Sequence, residues 1–360
     1  MSGARDEAVG RFLQLAERSI SLLRRVSPKN FRDECEALVV ACQKGTLRPP
    51  RFEYGAVPPL PHELVSALKA LVSAEDVENP WRRWHRARAR ELLLEANMAE
   101  ALGTPAFARL ARERFGVGEP ALSAAALALA EEWVAARMPA ERQNEPEHTS
   151  DDLQDKDSLG SLMLAEIGQR KLPFRMVFSR ELASLAAVGE QVVAVRAGAM
   201  LTRSVAERVV VHEIVGHALP RQRAQESGIP LLTFGSAGGF EDQEGRALWL
   251  EATHGFLDAE RRQELGARHL AVNELRKGAD WVEIVRHLGE KGLSARRRVE
   301  VACRVFRGGG WGREEVYLPA YLRVTKLITT NPRLHAWMGQ GRLSAQVAEE
   351  LAALGFLGAS

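Results

Sequence analysis

The chain of 360 residues contains only three cysteines, Cys35, Cys42 and Cys303. So small and odd a number in a long chain excludes a disulfide framework. Cys35 and Cys42 lie seven apart and read as packing residues on the apolar side of a helix. There is almost no net charge: 49 basic and 47 acidic side chains leave +2. That balance gives no electrostatic basis for binding nucleic acid or a membrane surface. The abundant arginines are spread beside acids along helical stretches and read as solvated helix faces. No run is long and apolar enough to span a bilayer. The opening Met-Ser-Gly-Ala-Arg-Asp-Glu lacks the apolar core of a signal peptide, so a cytoplasmic protein is expected. The glycine-rich stretch at 307–312 is no phosphate-binding loop, because no Lys-Ser/Thr follows it and no strand precedes it. Its glycines read as allowing close backbone approach near a site.

What is present is mostly helical. With 46% hydrophobic residues the chain can build a sizeable core. Phe12, Leu13, Ala16, Ile20 and Leu23 repeat at helical spacing, and Ser27-Pro28-Lys29-Asn30 breaks the run. Two amphipathic helices over 8–45 and a Pro-rich linker over 47–61 therefore form a helical N-terminal extension, residues 1–60. The remainder, 61–360, reads as one large domain. Its helices dominate to residue 137, with Thr104 as an N-cap and Pro105 at the first helical position. The polar stretch 138–160 reads as a mobile loop, long enough to flank a substrate cleft. From Phe174 the period changes: 174–178 predicts a strand, and 183–188 with 191–196 predicts a hairpin around Gly189-Glu190. The expected fold class is mainly α with a small β-sheet (α+β). His85, His148, His254, His269 and His287 lack matching ligand partners and read as ordinary histidines.

The organising stretch is 209–220. An apolar run leads into His212-Glu-Ile-Val-Gly-His217, and downstream lies Gln243-Glu-Gly-Arg-Ala247. A catalytic zinc takes three protein ligands and keeps a fourth position for water. A neighbouring carboxylate removes the proton of that water. His-Glu-x-x-His on one helix supplies two ligands and the base, but here the spacing is one residue longer. At about 100° per residue, an i,i+4 pair lies about 40° apart and an i,i+5 pair about 140° apart. A straight helix cannot aim both rings at one ion. A π-bulge or a helix end is required between them, and Gly216 permits such a distortion. Glu244 is the leading candidate for a third ligand. Glu251, two turns further on the same face, is placed to orient a ligating histidine. A small sheet just before a metal-binding helix suits a zincin-like metallopeptidase core, so 61–360 reads as a metallopeptidase-like catalytic domain.

These motifs resemble the His-Glu-x-x-x-His metallopeptidases that include the microtubule-associated tyrosine carboxypeptidases, with a bacterial branch marked by Gln-Glu-Gly-Leu-Ala. Further blocks resemble the family in the same order: Arg51-Phe-Glu-Tyr54, Asn97-Met-Ala-Glu-Ala-Leu-Gly-Thr-Pro-Ala-Phe107, Arg304-Val-Phe-Arg-Gly308 and Val316-Tyr-Leu318. The resemblance runs from roughly residue 30 to 330. It implies a zinc-dependent, carboxypeptidase-like enzyme, with one Zn2+ on His212, His217 and Glu244, and Glu213 as the catalytic carboxylate. Val215-Gly216 stands where the family has Gly-Thr, and Arg246 replaces its Leu. Neither departure removes a ligand, but both touch the shape of the site and hence substrate choice. Removal of tyrosine from tubulin belongs to animal members and is not carried over.

The mechanism expected is attack of water on a peptide carbonyl, with Glu213 as general base and Tyr317, in the family-like block, as donor to the oxyanion. A peptide or protein C-terminus as substrate needs a cation for its carboxylate. Arg304, Arg307 and Arg313 flank the glycine loop, and Arg196 ends the predicted hairpin; these four are the candidates. Two alternatives stand beside this reading. One is a zinc amidohydrolase acting on a modified peptide or small metabolite; the other is a non-catalytic helical interaction protein.

Overall fold

The computed structural model describes residues 4–74, 79–136 and 145–357. Leu13, Ala16 and Ile20 fall on one side of the first helix, Ala4–Ile20, and are fully buried. The short helix Leu22–Arg25 and the helix Phe31–Gln43 follow, the latter burying Cys35, Leu38 and Cys42. All of these apolar groups join one large core that also holds Trp81, Trp84 and Leu92 from the long Pro80–Glu100 helix. The described part of the first sixty residues is thus packed into the same core as the helices that follow. Asn79 caps that long helix by accepting from the Trp81 N–H at 2.9 Å. Thr104 occupies the expected N-cap position of Pro105–Phe115, but its hydroxyl turns back to donate to the Ala101 carbonyl at 2.7 Å and makes no cap bond.

Among the described residues five short strands lie before the motif: β1 (Glu147–Thr149), β2 (Arg175–Ser179), β3 (Ala186–Val188), β4 (Val192–Arg196) and β5 (Met200–Thr202). The predicted hairpin is β3–β4, antiparallel with Ala186 opposite Val195. β4 also pairs in parallel with β2, giving the order β2-β4-β3. β1 pairs with β5 in a separate two-stranded sheet. The loop expected over 138–160 does not hold for 147–149, which are strand, nor for 159–160, which open the helix Leu159–Gln169. Ser150 is fully buried, and its backbone accepts from Gly160 and donates to Ala199. A polar Glu-His-Thr strand carries no alternation signal; its pairing comes from residues some fifty positions away. Residues 138–144 lie outside the described residues. The fold is mainly α with a small sheet, as the sequence predicts.

A second core forms under β3 and β4, where Met163, Phe174, Val193 and Val195 meet Ile214 and Ala218 of the motif helix. The other side of the motif helix packs on the helix Gly239–Thr253, which in turn packs on the helix Tyr317–Thr330. Two glycines permit this stacking. A Cβ on Gly216 would lie 3.0 Å from the Ala247 Cβ, and one on Gly245 would lie 2.5 Å from the Ala320 carbonyl oxygen. Gly216 has no positive φ. Space between helices, rather than an unusual backbone angle, is what glycine provides there. Gly245→Ala must push two helix backbones apart, so a loss of about 1–3 kcal/mol of stability is expected by urea denaturation. Among the described residues no helix is long and apolar enough to cross a membrane.

Candidate metal centre

The spacing problem posed by His212 and His217 is solved by the backbone. Residues Val211–Ala218 form a π-helix, inserted between the α-helices Arg203–Val210 and Leu219–Glu226. Bonding i→i+5 widens the turn by one residue, so side chains five apart come onto one side. The two imidazole centroids lie 5.0 Å apart. Glu244, on the facing helix Gly239–Thr253, reaches between them: its Oε2 is 3.4 Å from His212 Nε2 and 3.7 Å from His217 Nε2. One ligand atom from each of these three residues falls within 4.8 Å of the other two.

Glu244 Oε2 is buried and makes no hydrogen bond. A bare carboxylate oxygen in such a position is costly unless something cationic meets it. Its other oxygen accepts from Arg313 Nη2 at 3.3 Å. Burial alone would raise the Glu244 carboxyl; His217, His212 and Arg313 outweigh it and hold it down to about 2. Two neutral-ligand nitrogens and one ionised oxygen, converging with an orphaned lone pair among them, fit a divalent ion such as zinc.

The far side of His212 is fixed as well. Its Nδ1 lies 2.7 Å from Glu251 Oε1. Glu251 is fully buried and accepts from Arg261 Nε at 2.8 Å and Nη2 at 3.0 Å. A carboxylate on Nδ1–H holds the tautomer whose Nε2 lone pair faces Glu244. From Arg261 the pairing continues: Arg261 to Glu264 at 2.9 Å, Glu264 to Arg268, Arg268 to Glu314 at 3.5 Å, and Glu314 to Arg304 at 2.8 Å. Arg261, Glu264, Arg268 and Glu314 were not singled out by sequence. The i,i+3 and i,i+4 spacing of the first three marks helix ion pairs, but nothing local marks their attachment to Glu251.

Glu213 follows His212 on the π-helix. Burial pushes its carboxyl up to about 7; His212 opposes this, and Glu244 and Glu251 add to it. Tyr317 is buried at the start of its helix, its phenol pushed up to about 12 by burial and by Glu244 and Glu314. Glu213, Tyr317, the three converging residues and the four predicted arginines all line one cleft of about 1060 Å³. Glu17, Phe31 and Arg32 of the first helices line it too, a contribution from the N-terminal segment that sequence did not reveal.

The arginines are not equivalent. Arg304 is paired with Glu314, and Arg313 with Glu244 while stacking 3.9 Å from the Phe240 ring centroid. Arg307 lies 4.6 Å over Trp311, with its nearest carboxylate, Glu314, at 3.8 Å. Arg196 has a buried Nε without a hydrogen-bond partner. Burial, with Arg32 next in effect, lowers Arg196 to about 10. Burial, with Arg304 next, lowers Arg307 to about 9. The glycine loop brings the backbone close as expected: Gly308, at φ 66°, donates to the Tyr54 hydroxyl at 2.7 Å and leaves no room for a Cβ beside Phe107.

Comparison with known proteins gives the chain a family. A family described as microtubule-associated tyrosine carboxypeptidase matches residues 42–358, and the chain belongs to that family. No curated protein matches it. Among solved structures it is similar to a protein described as a putative lipoprotein from Colwellia psychrerythraea, at 12% identity and a TM-score of 0.47. That match covers 82% of this chain and 66% of the other.

Proposed function

We propose that this chain is a zinc-dependent carboxypeptidase, with one ion held by His212, His217 and Glu244, that removes residues from the C-terminus of a peptide or protein. The observation that carries the reading is Glu244 Oε2, buried without a hydrogen bond between two imidazole nitrogens. Membership in a carboxypeptidase family supports the class of reaction. Zinc, when bound, would polarise a carbonyl and acidify a water. The chain's own groups do the rest. Glu213 takes the proton of the attacking water and passes it to the departing amine. Glu251 keeps His212 oriented, and the Tyr317 hydroxyl donates to charge developing on the carbonyl oxygen.

The substrate carboxylate falls to Arg196, for which no ion pair is seen among the described residues, and to Arg307, whose contact with Glu314 is long at 3.8 Å, rather than to the closer-paired Arg304 and Arg313. A charge-assisted hydrogen bond contributes about 1.5–3 kcal/mol, so Arg196→Ala or Arg307→Ala should lower kcat/KM for free-acid peptides by roughly 10- to 100-fold. Amidated peptides should lose little. Equal losses on both would remove the assignment.

A further inference from the structure

Pro220 leaves a gap in the π-helix. In i→i+5 pairing the Val215 carbonyl would be met by the main-chain N–H of residue 220, and proline has none. The preceding residue does not serve it either, because the Leu219 N–H goes to the Ile214 carbonyl. A carbonyl between Glu213 and His217 is thereby left without a main-chain donor.

A side chain meets it. Arg246 stands two residues after Glu244 on the facing helix. Its Nη1 donates to the Val215 oxygen at 3.4 Å, and its Nε to the His335 oxygen at 3.3 Å. Arg246 is only 3% exposed. No carboxylate is among the charged groups that act on it. Gly339 makes room for it: a Cβ there would lie 3.1 Å from Arg246 Nη2. A guanidinium buried against carbonyls is an expensive choice, since leucine would occupy the position with no charge to desolvate. The donors are what leucine lacks.

We infer that Arg246 is a positioning residue for the metal centre: it supplies the donor that Pro220 cannot, and so holds the π-turn that brings His217 opposite Glu244. The inference rests on the metal-centre reading above and deepens it. Without that donor the turn can rewind towards i→i+4 bonding. Residues 212 and 217 would then point about 140° apart, and the three-residue set would open.

Cobalt(II) titration of the metal-free full-length chain tests this, with visible absorption reporting ligand geometry and chelator competition reporting affinity. Arg246→Leu should bind cobalt roughly 10- to 100-fold more weakly than the native chain, with an altered spectrum, as expected when a group that orients ligands is lost. Arg246→Lys keeps a donor and should lose less. Pro220→Ala restores a main-chain N–H at the position opposite Val215, so Pro220→Ala combined with Arg246→Leu should recover affinity and spectrum. Native affinity and an unchanged spectrum in Arg246→Leu would overturn the inference and leave the metal centre standing. So would an equal loss in the leucine and lysine variants with no recovery in a double variant that folds by circular dichroism. No cobalt binding by the native chain would overturn the metal centre itself, and this inference with it.

Discussion

Glu213→Gln should lower kcat for peptide cleavage on the order of 10²- to 10⁴-fold while leaving zinc content unchanged. The exchange keeps size and shape, so the π-helix and its two histidines are not disturbed. What it removes is a carboxylate able to take a proton. Burial already lifts that carboxyl to about 7, close to the proton affinity a base needs at neutral pH. Mass spectrometry of cleaved peptides, with elemental analysis of the same preparation, measures both quantities. A variant that cleaves at the native rate removes Glu213 from the mechanism; one that loses its zinc assigns the residue to the metal instead.

His217→Ala and Glu244→Ala should each abolish stable zinc binding. Each deletes one of three ligands, and neither site offers a substitute: the three residues are the only such group found among the described residues. Glu251→Gln provides the contrast. It leaves all three ligands in place and disturbs only the grip on His212 Nδ1, so a weakening of roughly 10- to 100-fold is expected. Chelator competition separates the two classes of loss. If Glu244→Ala binds zinc as tightly as the native chain, the convergence of its Oε2 with the two imidazoles has no metal-binding meaning.

The site was legible in the sequence because its central irregularity was a matter of counting. Two histidines five positions apart cannot share a face of an α-helix, so a π-turn or a helix end follows from geometry once a common ligand is assumed. Glu244 and Glu251 were reachable for the same reason, lying seven apart on one helix. Arg261 was not. It meets Glu251 across a break between helices, at 254–258, and a sequence shows helix periodicity far better than it shows which buried arginine answers which buried carboxylate. Arg246 was legible only as a departure from a pattern; its purpose depends on Pro220, whose missing N–H matters only once the π-turn is known. The strand β1 was missed because its three residues are polar and its partner is distant. The cleft wall formed by Glu17, Phe31 and Arg32 was missed because amphipathic helices announce that they are buried, not what they are buried against.

Zinc content of the purified native chain, before and after chelation and reconstitution, tests the central claim most directly. The account predicts about one zinc per chain, removed by chelator and restored on adding zinc back. A folded chain that takes up none after incubation with zinc would contradict it.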